Sequence, residues 1–147
     1  MSNFFSIPFM IALVSGVAMA VQGTLNAGLA QKTNLMAATS AVHIIGTVIS
    51  IATVLILGVP FLKANWLSIP WYFYFGGVLS VIIIGLVAVS IPKVGVCNAT
   101  TAIIIGQVGT AVLIDHFGWF GVSRLHWSPW QLLGVGLFAA GAKLLFR

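Results

Sequence analysis

The sequence has almost no acid. Asp115 is its single Asp or Glu in 147 residues, set against six Lys and Arg. One carboxylate cannot divide general acid from general base work, and no Ser, His and Asp set stands at a spacing known for nucleophilic catalysis. No catalytic residue is therefore assigned, and an enzyme is not expected. Cysteine is nearly absent too: Cys97 stands alone, so no intrachain disulfide can form. Nothing beside it has metal-ligand spacing, and neither a metal nor another cofactor is implied. Its plain reading is a small residue at a helix start. The six cations are scattered, with no basic cluster interleaved with aromatics, which argues against a nucleic-acid partner.

What remains is apolar. Apolar residues make up 61% of the chain, charged residues 5%, and the mean hydropathy is +1.17. Soluble domains are roughly half apolar and a quarter charged, so this composition describes an integral membrane protein. Five apolar runs, at about 7–29, 36–58, 71–91, 98–117 and 130–146, each suit a membrane-crossing helix. About 20 residues at 1.5 Å each are needed to cross roughly 30 Å of hydrocarbon. The expectation is an all-α, polytopic bundle of five transmembrane helices in a single domain, 1–147. A cleaved signal peptide competes for the first run, because Ala18-Met19-Ala20 fits a small-residue cleavage site. No Lys or Arg precedes that run, however, and the apolar character continues beyond the supposed cut.

Five spans put the termini on opposite sides of the membrane. Pro92-Lys93-Val94-Gly95 reads as a tight break, because proline disfavours helix at the residue before it. Lys32, Lys93, Lys143 and Arg147 fall on the C-terminal side, while Lys63 and Arg124 fall on the other. An excess of cations marks the cytoplasmic side, so the N-terminus is expected outside and the C-terminus inside. The difference of two leaves insertion in both orientations open. All five tryptophans (Trp66, Trp71, Trp119, Trp127, Trp130) and both tyrosines (Tyr72, Tyr74) lie near the N-terminal side. Aromatic belts ordinarily mark both interfaces, so the two faces are expected to meet different surroundings.

Small residues recur at helical spacing. Ala12, Gly16 and Ala20, then Gly23 and Ala27, make one side of the first span nearly smooth. Gly76, Gly77, Ser80 and Gly85 supply close-approach positions in the third, and Ala102, Gly106 and Thr110 do so in the fourth. Such faces let helix backbones approach closely in lipid.

The polar groups inside the spans are few enough to follow singly. Gln22 and Asn26 sit four apart and project from one helix face. Ser40, His43, Thr47 and Ser50 form a weakly polar stripe in the second span, and His43 can carry a proton near neutral pH. Gln107 lies near the middle of the fourth span and Asp115 near its end. Ordered by depth, Asn26, Gln22, His43, Gln107 and Asp115 would form a polar column across the membrane, replacing a small solute's lost hydration. The competing reading is structural. The amides and His43 would then bond neighbouring helices, and Asp115 would cap its helix or pair with the following loop, for example with Arg124.

An odd span count has its own consequence. Duplicating a five-span unit gives a second copy of opposite topology, the inverted-repeat plan of many secondary transporters, so one copy is a plausible half-transporter.

Several motifs together resemble a known family. Gln22-x-x-x-Asn26, Gly46-Thr47, Gly76-Gly77, Pro92-x-x-Gly95, Gly106-Gln107, Asp115-His116-Phe117-Gly118, Gly134 and Gly141 are similar to the pattern of the YdcZ-type five-helix proteins. That group belongs to the drug/metabolite transporter (DMT) superfamily, and the resemblance covers essentially the whole chain. It implies a bacterial inner-membrane protein of exporter type, related in plan to the four-helix small multidrug resistance proteins and the ten-helix duplicated transporters. Ser80 stands where a glycine is expected after Gly76-Gly77, and His43 where the pattern is more often apolar or aromatic. The small multidrug resistance group relies on a membrane-embedded glutamate, and this chain has none. Cation export by that mechanism does not carry over.

The expected function is a secondary-transporter subunit that exports a small organic metabolite or drug by alternating access. It would work as a homodimer, antiparallel or not, or as a heterodimer with a related five-helix chain. Gln22, Asn26, His43 and Gln107 would bind substrate, and Asp115 and His43 would couple a proton or ion. The alternative is a non-transporting assembly module that binds lipid or another membrane protein.

Overall fold

In a computed structural model of the chain, residues 6–125 and 128–146 are described. The expectations placed on His126, Trp127 and Arg147 lie outside the described residues. Five α-helices follow one another: α1 (Ile7–Lys32), α2 (Leu35–Ile56), α3 (Phe75–Val94), α4 (Val96–Phe117) and α5 (Pro129–Leu145).

Local chemistry sets their ends. Pro8 lies in the first turn of α1, where a backbone N–H has no intrahelical acceptor to lose. α1 closes at Thr33, whose N–H and hydroxyl both donate to the Leu29 carbonyl, at 3.0 and 2.8 Å. Asn34 then opens α2, its Oδ1 accepting from the Ala37 N–H at 2.8 Å. Only two residues therefore join α1 to α2, and the two helices pack as an antiparallel pair.

Three short 3-10 turns, Phe61–Lys63, Trp66–Ser68 and Trp71–Tyr74, lead into α3. Their aromatics tie them together: Trp66 Nε1 donates to the Phe61 carbonyl at 2.9 Å, and the Tyr74 hydroxyl donates to the Trp66 carbonyl at 2.7 Å.

The third helix runs past the expected break. α3 continues through Pro92 to Val94, and the helix stops only at Gly95, where φ is +84°. Proline there forfeits one hydrogen bond in the last turn, where few residues remain to be kinked. Ile91, whose conformation Pro92 restricts, is instead held helical by packing: it is buried against α1.

α4 ends at Gly118 in the left-handed conformation, φ +65°, its N–H donating to the Ile114 carbonyl at 2.8 Å. α5 begins with a capping box, Ser128 and Gln131 each bonding the other's backbone, and with Pro129 in the first turn.

The segments Ile7–Lys32, Leu35–Ile56, Trp71–Val94 and Val96–Phe117 are long and apolar enough to cross a membrane. α5, with 17 residues, reaches about 26 Å, at the short end of what a span requires. Large apolar chains such as Ile44, Ile83 and Leu86 point outward, as expected where the solvent is lipid. Among the described residues the fold is thus all-α, that of a polytopic membrane protein.

The helices group into two units, Met1–Lys93 and Val94–Arg147. In the first, the buried residues lie at one end: Gly23, Asn26 and Ala27 of α1, Ala38 and Thr39 of α2, Ala88 and Ile91 of α3. In the second, α4 packs on α5, and Ala99, Thr101 and Ala142 are buried. Nearly all of these side chains are small, so closeness comes from backbone approach rather than from interlocking of long chains.

Candidate functional site

The first unit holds three of the polar candidates. Gln22 and Asn26 share the C-terminal part of α1, but only Asn26 enters the packed end. It is 7% exposed, between Gly23 and Ala27, whereas Gln22 is exposed. Among the described residues the Asn26 amide forms no side-chain hydrogen bond. Its amide atoms are not fully enclosed, so the donors and acceptor stay available to a partner.

His43 does have partners. Half-buried on α2, it places Nδ1 2.8 Å from the Thr39 carbonyl oxygen, one turn back, and Nε2 3.0 Å from Ser80 Oγ on α3. The second contact joins two helices, and Ser80 is the residue that sequence reasoning passed over as a close-approach position. The two residues expected to depart from the YdcZ-type pattern therefore touch each other.

The rest of the α2 stripe borders open space. Thr47 and Ser50 line a cavity of about 660 Å³ between the later turns of α2 and residues 59–63. Its other walls are apolar, Val54, Leu55 and Phe61 among them, and Lys63 also borders it. The Ser50 hydroxyl donates to the Thr47 carbonyl at 2.9 Å, so it adds little free polarity there.

The second unit holds Gln107 and Asp115, both on α4. Gln107 is exposed, and Asp115 is half-buried and two turns further on, about 12 Å along the axis. The following loop folds back over the helix end. Leu125 N–H donates to the Asp115 carbonyl at 2.9 Å, and Arg124 Nε donates to the Phe117 carbonyl at 2.9 Å. Arg124 thus satisfies a helix-end carbonyl, as cations near a helix C-terminus do. No ion pair joins it to Asp115 among the described residues, so the pairing expected for Asp115 is replaced by a backbone clasp. His116 and Phe117 meet edge to face, with ring centres 5.0 Å apart, and Phe117 stacks on Trp119 at 5.2 Å.

Polar side chains spaced singly along apolar helices suit passage or binding of a solute. Residues 7–144 match the model of the family described as "Putative inner membrane exporter, YdcZ". The chain belongs to the YdcZ family. No curated protein and no solved structure matches it. Membership supports a multi-pass inner-membrane protein with a transporter role.

Proposed function

We propose that the chain is one half of a secondary transporter that exports a small organic metabolite or drug by alternating access. A second copy, antiparallel or parallel, or a related five-helix chain completes it. The observation that carries this reading is Asn26, a polar residue at the packed end of a membrane helix whose amide makes no side-chain hydrogen bond among the described residues. Gln22 extends that face, Gln107 contributes from α4, His43 exchanges a proton and Asp115 serves the far mouth. The helix glycines support a second chain, since a side chain added at Gly16, Gly46, Gly76, Gly77 or Gly85 would meet nothing within 4 Å. Those open faces also suit the competing reading, a non-transporting assembly or lipid-binding module.

The test begins with a thermal-shift screen of organic cations, anions and neutral metabolites, because a ligand of the folded state raises its stability. Flux of any hit is then followed in reconstituted vesicles. Asn26→Leu and Gln107→Leu should each lower flux at least tenfold while the unfolding temperature holds. Unchanged flux in both variants, or a stoichiometric protein partner with no solute effect, would sink the transport reading.

We place the N-terminus outside and the C-terminus in the cytoplasm, on the distribution of cations. Impermeant thiol labelling of cells should then reach Lys63→Cys and not Lys32→Cys. Labelling at both sites would mean dual insertion.

A further inference from the structure

His43 and Ser80 take part in three contacts. Nδ1 faces the Thr39 carbonyl oxygen at 2.8 Å, Nε2 faces Ser80 Oγ at 3.0 Å, and Ser80 Oγ faces the Gly77 carbonyl oxygen at 2.8 Å. Carbonyl oxygens only accept, so Nδ1 must carry a proton for the first bond and the hydroxyl must donate for the last. The middle bond needs a third proton. A neutral imidazole and a hydroxyl hold only two between them.

Each neutral tautomer therefore forfeits one contact. With the proton on Nδ1, the Ser80 hydroxyl must turn to Nε2 and leave the Gly77 carbonyl. With it on Nε2, Nδ1 turns a lone pair toward the Thr39 carbonyl oxygen 2.8 Å away. The imidazolium completes all three: Nδ1–H to Thr39, Nε2–H to Ser80, and Ser80 O–H to Gly77.

We infer that His43 and Ser80 together form a proton-binding site joining α2 to α3, with Ser80 as its positioning residue. The step is the gain or loss of one proton at Nε2, exchanged with solvent water. No other covalent bond changes, and the Ser80 hydroxyl turns between Nε2 and the Gly77 carbonyl as the proton leaves and returns. No acid neutralises the cation from within its unit, because residues 1–93 contain no Asp or Glu. α2 carries no other charged or titratable residue. α1 brings only Lys32 and α3 only Lys93, each in its helix's last turn, and the turns between α2 and α3 bring Lys63, Tyr72 and Tyr74. Within this unit the charge is held by oxygen acceptors instead of an ion pair. Its purpose, a proton exchanged for exported solute, rests on the transport reading, but occupancy of the site can be measured without any solute.

The measurement is histidine nitrogen NMR of the labelled chain in lipid nanodiscs, with His43→Gln used to pick its signals out from three histidines. At the pH where His43 is half imidazolium, Ser80→Ala should lower the ratio of imidazolium to neutral ring about tenfold, the effect of losing one hydrogen bond to a charged group. Ser80→Thr, which keeps the hydroxyl, should restore it. An unchanged ratio in Ser80→Ala, or a His43 that stays neutral at every pH where the chain is folded, would overturn the site. If the ratio shifts as expected while flux in vesicles shows no pH dependence, the site stands and proton-coupled transport falls.

Discussion

The two halves of α1 carry the same kind of residue and meet opposite surroundings. A Cβ added to Gly23 would lie 3.0 Å from Val87 Cγ1 and 3.3 Å from Ile91 Cδ1, whereas one added to Gly16 would meet nothing within 4 Å. Spacing makes both stretches smooth, but only one is covered. In lipid there is no water to drive a smooth face out of solvent, so such a face is used only where another helix comes near enough for close packing. The polar residues divide in the same way, with Asn26 buried beside Gly23 and Gln22 exposed one turn earlier.

Substitution at the two glycines gives the strongest test of that contrast. Gly23→Leu should lower the stability of the detergent-solubilised chain by about 1–3 kcal/mol, the usual cost of overfilling a packed contact. Gly16→Leu should leave unfolding within about 0.5 kcal/mol, as substitutions away from packed contacts do. Equal effects in thermal or denaturant unfolding would mean that the two halves do not differ. If the open half is where a second chain docks, Gly16→Leu should also weaken self-association by crosslinking.

A smaller effect is expected at the cap of the packed end. Asn34→Ala removes the bond from Ala37 N–H and should cost about 1 kcal/mol. Hydrogen exchange would show it as faster exchange at Ala37 and its neighbours, with α1 before Gly23 unaffected. Loss of protection along the whole of α1 would show that its two halves are not independent.

The helices were legible because long apolar runs in a chain of 5% charge admit few other readings. The end of α3 was not, since the restriction that Pro92 places on Ile91 gave way to burial of Ile91 against α1, a contact between segments far apart in sequence. The candidate site was legible in depth and not in azimuth. A position along a helix follows from counting residues, which puts Asn26 nearer than Gln22 to the end of α1. Which neighbour a side chain meets depends on how each helix is rotated, and the pattern of apolar residues barely constrains rotation when every face is apolar. Ser80 therefore reads in sequence as one more small residue, although its hydroxyl lies opposite His43, and Arg124, one possible partner for Asp115 beside a helix cap, bonds the Phe117 carbonyl instead.

The short connection between α1 and α2 ties one end of the pair together. With only Thr33 and Asn34 between the helices, Lys32 and Leu35 can be parted by no more than about 11 Å, three steps of 3.8 Å between successive Cα atoms. That is close to the ordinary separation of packed helices, so this end of the pair has almost no travel. Beyond it α1 extends as a lever of 26 residues, about 39 Å long. A tilt of about 10° at the tied end would carry the far tip through about 7 Å, given the rise of an α-helix. Small rearrangements at the packed end are thus magnified at the open one, on the opposite side of the membrane.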